Sequence, residues 1–121
     1  MIKGIGIDIC DTQRLKAKIK RNKRLLKRIF SQKEINYCRS KKNYILHLAG
    51  RFAAKEAFIK AISIDKSLNL NEIEISRDSN GMPMIQINNN IRLLLKKKKA
   101  KTVTISITHI DSVSAATCVI E

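Results

Sequence analysis

The sequence predicts an α+β fold: one compact domain over residues 1–121, in which an antiparallel sheet packs on one long helix. Three observations predict it. Apolar residues alternate with small or polar ones at both ends of the chain, the period of strands. Between them, residues 43–62 carry apolar side chains at helical spacing. The elements come in the order strand, helices, hairpin, helix, hairpin, without the regular βαβ alternation of a parallel sheet. A chain of 121 residues has room for one such domain and little else.

Residues 2–9 set Ile2, Ile5, Ile7 and Ile9 among small or polar neighbours, with Asp8 near the end of this first strand. From Thr12 to Arg28 the spacing of Leu15, Ile19 and Leu26 predicts a helix. Ser31-Gln32-Lys33-Glu34 fits a capping box, in which Ser31 and Glu34 satisfy free backbone donors at a helix start. The longest helix, from about Asn43 to Ile62, turns Leu46, Ala49, Phe52, Ala53 and Ala57 towards a core. Residues 72–76 alternate again, Asp78 to Pro83 carry turn chemistry, and Met84 to Ile87 completes a hairpin. Asn88 to Asn90 cap a short helix through Leu95, ahead of Lys96-Lys97-Lys98-Lys99. Val103, Ile105 and Ile107 alternate with Thr104, Ser106 and Thr108. A turn at His109 to Ser112 then leads to a last strand, Val113 to Ile120.

The chain has 25 basic and 10 acidic residues, a formal charge of +15 and a pI near 10.1. Such a balance points to a polyanionic partner: nucleic acid, anionic membrane, phosphorylated small molecule or acidic protein. An A/T-rich coding bias also produces 17 Lys against 8 Arg beside 20 Ile and 9 Asn, so the position of the charge says more than its total. Nine basic residues and no acid lie between Thr12 and Arg28. With three Phe, two Tyr and no Trp there is no base-stacking platform, and the lysine run reads as a solvated face. No apolar run approaches the ~18 residues of a membrane span, and Met1-Ile2-Lys3-Gly4 opens no signal peptide. Cys10, Cys38 and Cys118 are odd in number and far apart, which argues against a disulfide framework or a zinc site. The expectation is a soluble, cytoplasmic protein.

Glu56 stands on the apolar stripe of Phe52 and Ala53, where a carboxylate is costly unless a cation meets it. Lys55, Lys60 or Arg51 would satisfy it as a plain ion pair. Asp8, alone, reads as a cap for the turn before the next helix. Together Asp8 and Glu56 form a pair of oxygen ligands without Cys or His, which suits Mg²⁺ with its retained waters and bridged phosphates. Arg51, Lys60 and His109 are then phosphate contacts. His109, at the turn between two strands, otherwise reads as a solvated residue, and His47, between Leu46 and Leu48, as structural.

Four motifs occur in order: Gly4-Ile5-Gly6-Ile7-Asp8-Ile9, then Gly50-Arg51-Phe52-Ala53-Ala54-Lys55-Glu56-Ala57-Phe58-Ile59-Lys60-Ala61, then Asn80-Gly81-Met82-Pro83, then Ser106-Ile107-Thr108-His109. Over almost its whole length the chain resembles the holo-[acyl-carrier-protein] synthases, the short single-domain branch of the 4'-phosphopantetheinyl transferases. The Arg-Phe-Ala-Ala-Lys-Glu-Ala segment is the most specific of the four, and Gly-x-Pro the weakest. The resemblance implies a Mg²⁺-dependent transfer of phosphopantetheine from coenzyme A to a serine of apo acyl carrier protein, in fatty acid biosynthesis. It implies Asp8 and Glu56 as metal carboxylates and Lys60 as a catalytic and pyrophosphate-binding cation. Arg51 and His109 match positions near the coenzyme. Either Glu56 or a metal-bound water takes the serine proton. The basic 12–28 segment gains a role, because Arg14, Arg21 and Arg24 match positions that hold the acidic carrier protein. A cytoplasmic homotrimer with sites between subunits is implied too, its contact drawn here from the outer face of the hairpin Val103 to Ile120.

One departure stands out. Where the family has a Gly-Thr-Gly type turn after Lys60-Ala61, this chain reads Ile62-Ser63-Ile64, and β-branched residues resist positive φ. No coenzyme contact is therefore carried over to residues 62–66. Two other readings compete: a small basic nucleic-acid-binding module, and a degenerate family member that binds the carrier without efficient turnover. The sparse aromatics and the placement of Glu56 weigh against the first.

Overall fold

The computed structural model describes residues 1–63 and 68–121; of the departing turn, Ile64 lies outside the described residues. Strand β1 (Gly4–Asp11) leads into helices α1 (Thr12–Arg21), α2 (Arg24–Ile29), α3 (Gln32–Arg39) and the long α4 (Tyr44–Ile62). A 3₁₀ turn (Leu70–Glu72) precedes the hairpin β2 (Ile75–Arg77) and β3 (Pro83–Ile85), then come α5 (Asn89–Lys97), β4 (Val103–His109) and β5 (Val113–Ile120). The antiparallel three-stranded sheet runs β1-β5-β4, so the last strand lies in the middle, and β2-β3 form a separate ribbon. The α+β class is as expected.

Helix α4 is the hub. Ala49, Ala53, Ala54, Ala57 and Ala61 are at most 1% exposed, and these small side chains let β1 lie directly on the helix. A Cβ on Gly4 would sit 2.0 Å from the Ala61 carbonyl oxygen, and one on Gly6 1.9 Å from that of Ala57. Glycine is required there because the two backbones approach too closely for any side chain. The face of β1 that meets α4 is thus Gly4, Gly6, Asp8 and Cys10, while Ile5, Ile7 and Ile9 are 69%, 62% and 66% exposed.

Several local expectations change. The 12–28 helix is two helices, because Asn22 is extended (φ −134°, ψ 95°) and its Oδ1 accepts from Arg24 N at 3.1 Å. Asp8 lies inside β1, not at its end. The cap of α1 is Asp11, whose Oδ1 accepts from Arg14 N at 3.0 Å, which leaves Asp8 without the capping role. The capping box at Ser31 and Glu34 forms as expected. Helix α5 continues into the lysine run, placing Lys96 and Lys97 in its last turn, where cations complement the helix dipole. Lys98 is no solvated spectator: its ammonium donates to Ile62 O (3.0 Å) and Ser63 Oγ (2.8 Å), closing the C-terminus of α4. Ser63 takes the left-handed conformation there (φ 44°), a position that glycine usually fills.

Lys55 and Glu34 form a fully buried ion pair. Lys55 also donates to Ile29 O (2.8 Å) and Leu70 O (2.9 Å), and Glu34 accepts from Ser31 N (2.9 Å) and Ile75 N (3.1 Å). The pair therefore ties α2, α3, α4, the 3₁₀ turn and β2 together. Cys10, Cys38 and Cys118 are free and buried. Burial pushes their thiols up to about 11, 11 and 12, so none is a nucleophile at neutral pH. Among the described residues no helix is long and apolar enough to cross a membrane.

Candidate active site

Where β1 crosses α4, three of the residues singled out in the sequence come together. Asp8 is the next helix-facing position of β1 after Gly4 and Gly6, so the glycine contact sets its height on α4. Lys60 donates to Asp8 Oδ1 at 3.0 Å and to Ile7 O at 2.9 Å. Glu56, one helical turn before Lys60, is half-buried beside them. Burial raises its carboxyl above the usual range, the Asp8 charge adds to this, and Lys60 opposes it. Among the described residues Glu56 has no ion-pair partner: Lys55 is bound to Glu34, and Lys60 to Asp8. The plain ion-pair account of Glu56 therefore fails.

Two neighbouring carboxylates, of which Asp8 raises the carboxyl of Glu56, without His or Cys beside them, suit a hard divalent cation. Among the described residues no group of three or more His, Cys, Asp and Glu could hold a metal. A cation here would have two protein ligands and take the others from water and substrate, which is the usual way Mg²⁺ binds.

Arg51 and His109 lie elsewhere. They line a cavity of about 150 Å³ with His47, Arg77, Pro83 and Ile107, at the other end of α4. Arg51 is 4% exposed and stacks over the Tyr37 ring at 4.2 Å, yet its Nε has no hydrogen-bond partner among the described residues. A single chain therefore does not place Arg51 and His109 beside Asp8 and Glu56. Arg77 and His47 were missed as members of this cavity. Nothing local in the sequence marks them, since the β2–β3 ribbon and α4 meet only in the folded chain.

Arg14, Arg21 and Arg24 are exposed on α1, α2 and their junction. Beside them Ile9, Leu15, Leu25 and Phe52 line a cavity of about 380 Å³, which Arg14 and Lys18 also border. Cys10 and Phe52 in its wall are helix and strand neighbours of Asp8 and Glu56, so the groove adjoins the carboxylates.

A sequence model of the 4'-phosphopantetheinyl transferase superfamily matches residues 4–118. A holo-[acyl-carrier-protein] synthase of Caldicellulosiruptor saccharolyticus is 42% identical over 121 residues, covering 100% of this chain and 98% of that protein. The crystal structure of holo-[acyl-carrier-protein] synthase from Neisseria meningitidis superposes with a TM-score of 0.90 at 29% identity, over 100% of this chain and 99% of that one. The Helicobacter pylori holo-[acyl-carrier-protein] synthase in complex with coenzyme A matches at 32% identity and TM-score 0.80, over 97% and 99%. With a family match that runs nearly end to end and a full-length relative at 42% identity, the chain belongs to the 4'-phosphopantetheinyl transferase superfamily, among the holo-[acyl-carrier-protein] synthases.

Proposed function

We propose that this chain is a single catalytic domain that transfers 4'-phosphopantetheine from coenzyme A to a serine of apo acyl carrier protein, in the cytoplasm and with Mg²⁺. The serine Oγ–phosphorus bond forms as the pyrophosphate P–O bond breaks, and adenosine 3',5'-bisphosphate leaves with the bonding pair. The observation that carries the reading is the junction of Asp8, Glu56 and Lys60, with Glu56 unpaired among the described residues. Asp8 and Glu56 would hold the cation, which supplies charge neutralisation on the pyrophosphate. Lys60 adds a second positive charge at the same place. Either Glu56 or a water beside it receives the serine proton. The test is a mass measurement on apo carrier protein incubated with coenzyme A. The carrier is expected to gain one phosphopantetheine with Mg²⁺ and none after chelation; no gain under either condition would overturn the reading.

Arg14, Arg21 and Arg24 orient the acidic carrier, whose apolar side chains enter the groove of Leu15, Leu25 and Phe52. Exposed charges of this kind act mainly on encounter rate and orientation. The variant Arg14→Glu with Arg21→Glu is expected to raise the carrier KM about tenfold or more and to flatten its salt dependence, with coenzyme KM little changed. A change confined to coenzyme KM would assign this surface to the other substrate.

A homotrimer completes the site. In one subunit Arg51 and His109 stand apart from Asp8 and Glu56, and assembly joins the two sets across an interface. Within the hairpin expected to make the contact, Thr104, Ser106 and Thr108 give β4 a polar outer face, so the proposed contact centres on β5 and its neighbour β1. The apolar outer face is that of β1, with Ile5, Ile7 and Ile9 opposite Val119, Thr117 and Ala115 of β5. A contiguous exposed apolar strip on a small, highly charged domain marks a contact surface. Ile7→Glu is expected to give monomers by light scattering and to abolish turnover, whereas an active, monodisperse wild-type monomer would refute the shared site.

A further inference from the structure

The cavity between α4 and β4 holds a second imidazole beside that of His109. His47 belongs to α4 and lines the same space of about 150 Å³ as Arg51, Arg77 and His109. That volume is smaller than the usual range for a complete small-molecule site but has room for a phosphoryl group. We propose that His47 contacts a phosphate of the coenzyme from the side opposite His109, and so couples binding of that phosphate to uptake of a proton. The inference rests on placing the coenzyme in this cavity.

The geometry comes from every element around the ring. Arg51 approaches from the same helix and Arg77 from β2; His109 comes from β4, and Lys41 follows α3. Tyr37 of α3 meets the imidazole edge-on, with centroids 6.2 Å apart and planes at 84°, which holds the ring in one orientation. Among the described residues, the charged groups that act on His47 are all cationic. Burial lowers its basicity first, and Arg51, Arg77, Lys41 and His109 each push the same way. The free protein therefore holds His47 neutral at pH 7, since a proton there would add charge to an already positive, poorly hydrated space. A bound phosphate dianion reverses the sign of that field and favours the imidazolium, which offers a further charge-assisted donor. The unpartnered Nε of the buried Arg51 independently points to an anion in this position.

The test measures binding of adenosine 3',5'-bisphosphate to the full chain by calorimetry, in two buffers of different ionisation heat at pH 7 and in one buffer at pH 6 and pH 8. The wild type is expected to take up protons on binding. Its affinity should gain about threefold or more over His47→Gln between pH 8 and pH 6. The titration of the ligand's own phosphates is common to both proteins and cancels in this comparison. Equal uptake by His47→Gln and wild type would overturn the inference and leave the coenzyme assignment standing. Absence of bisphosphate binding to the wild type would overturn that assignment and the inference with it. Should the variant fail to fold, the imidazole NMR titration of the wild type reads the same event: the His47 midpoint rises when the bisphosphate is present, and an unmoved midpoint overturns the inference.

Discussion

Glu56→Gln is expected to lower carrier modification by on the order of 10³-fold without lowering the melting temperature at pH 7. The two effects have one origin. Burial and the neighbouring Asp8 charge penalise ionised Glu56 in the folded protein, so the native state binds its proton more tightly than the unfolded chain does. The sign follows from linkage: the contribution of Glu56 to stability is full below the ordinary carboxylate value of 4.5 and declines as pH rises through its raised native value. At neutral pH the ionised carboxylate is therefore held at a cost to stability, and the neutral amide relieves it. A cation shared with Asp8 would relieve it too, so added Mg²⁺ should stabilise the wild type more than the Gln variant. Thermal melts and the carrier mass assay on one preparation check both halves. A variant that stays active, or one that loses activity only because it unfolds, would remove Glu56 from the reacting centre.

Glu34→Ala is expected to cost about 3–5 kcal/mol of stability, because it leaves the buried Lys55 ammonium without its counter-charge. Against a total of about 5–15 kcal/mol for a domain, that is enough to unfold a marginal protein on warming. Replacing both partners by apolar residues often restores an ordinary buried pair. Here it should not. Glu34 also accepts from Ser31 N and Ile75 N, and Lys55 donates to Ile29 O and Leu70 O. The double variant Glu34→Leu with Lys55→Met would strand these four backbone groups, at about 1–3 kcal/mol for each one left buried and unpaired. Denaturant melts of Glu34→Ala and of the double variant decide the matter. Recovery of wild-type stability in the double variant would reduce the network to a simple ion pair.

The same two residues show what could be read in advance. Ser31 and Glu34 were legible as a capping box because its parts lie within one turn. That Glu34 also neutralises Lys55 depends on α3 meeting α4, and no local spacing reveals it. Three cations stood near Glu56 in sequence, and all three turn out to be engaged elsewhere: Lys55 with Glu34, Lys60 with Asp8, and Arg51 over Tyr37. Asp8 was legible as an anomaly, but its freedom from capping became evident only when Asp11 was seen to cap α1.

By itself the sequence determined the kinds of elements, the α+β class and the carboxylate pair, because periodicity, capping and an ill-placed charge are local properties. Alternation on β1 also established that Ile5, Ile7 and Ile9 share one face. Only the tertiary structure decided which face is covered. The helix-facing side must be the one without side chains, since Gly4 and Gly6 meet the α4 backbone at less than a Cβ contact. That contact turns the isoleucines outward and Asp8 inward, next to Glu56 and Lys60. The assignment of faces depends on how closely two distant backbones pack, a quantity that period-two alternation leaves undetermined.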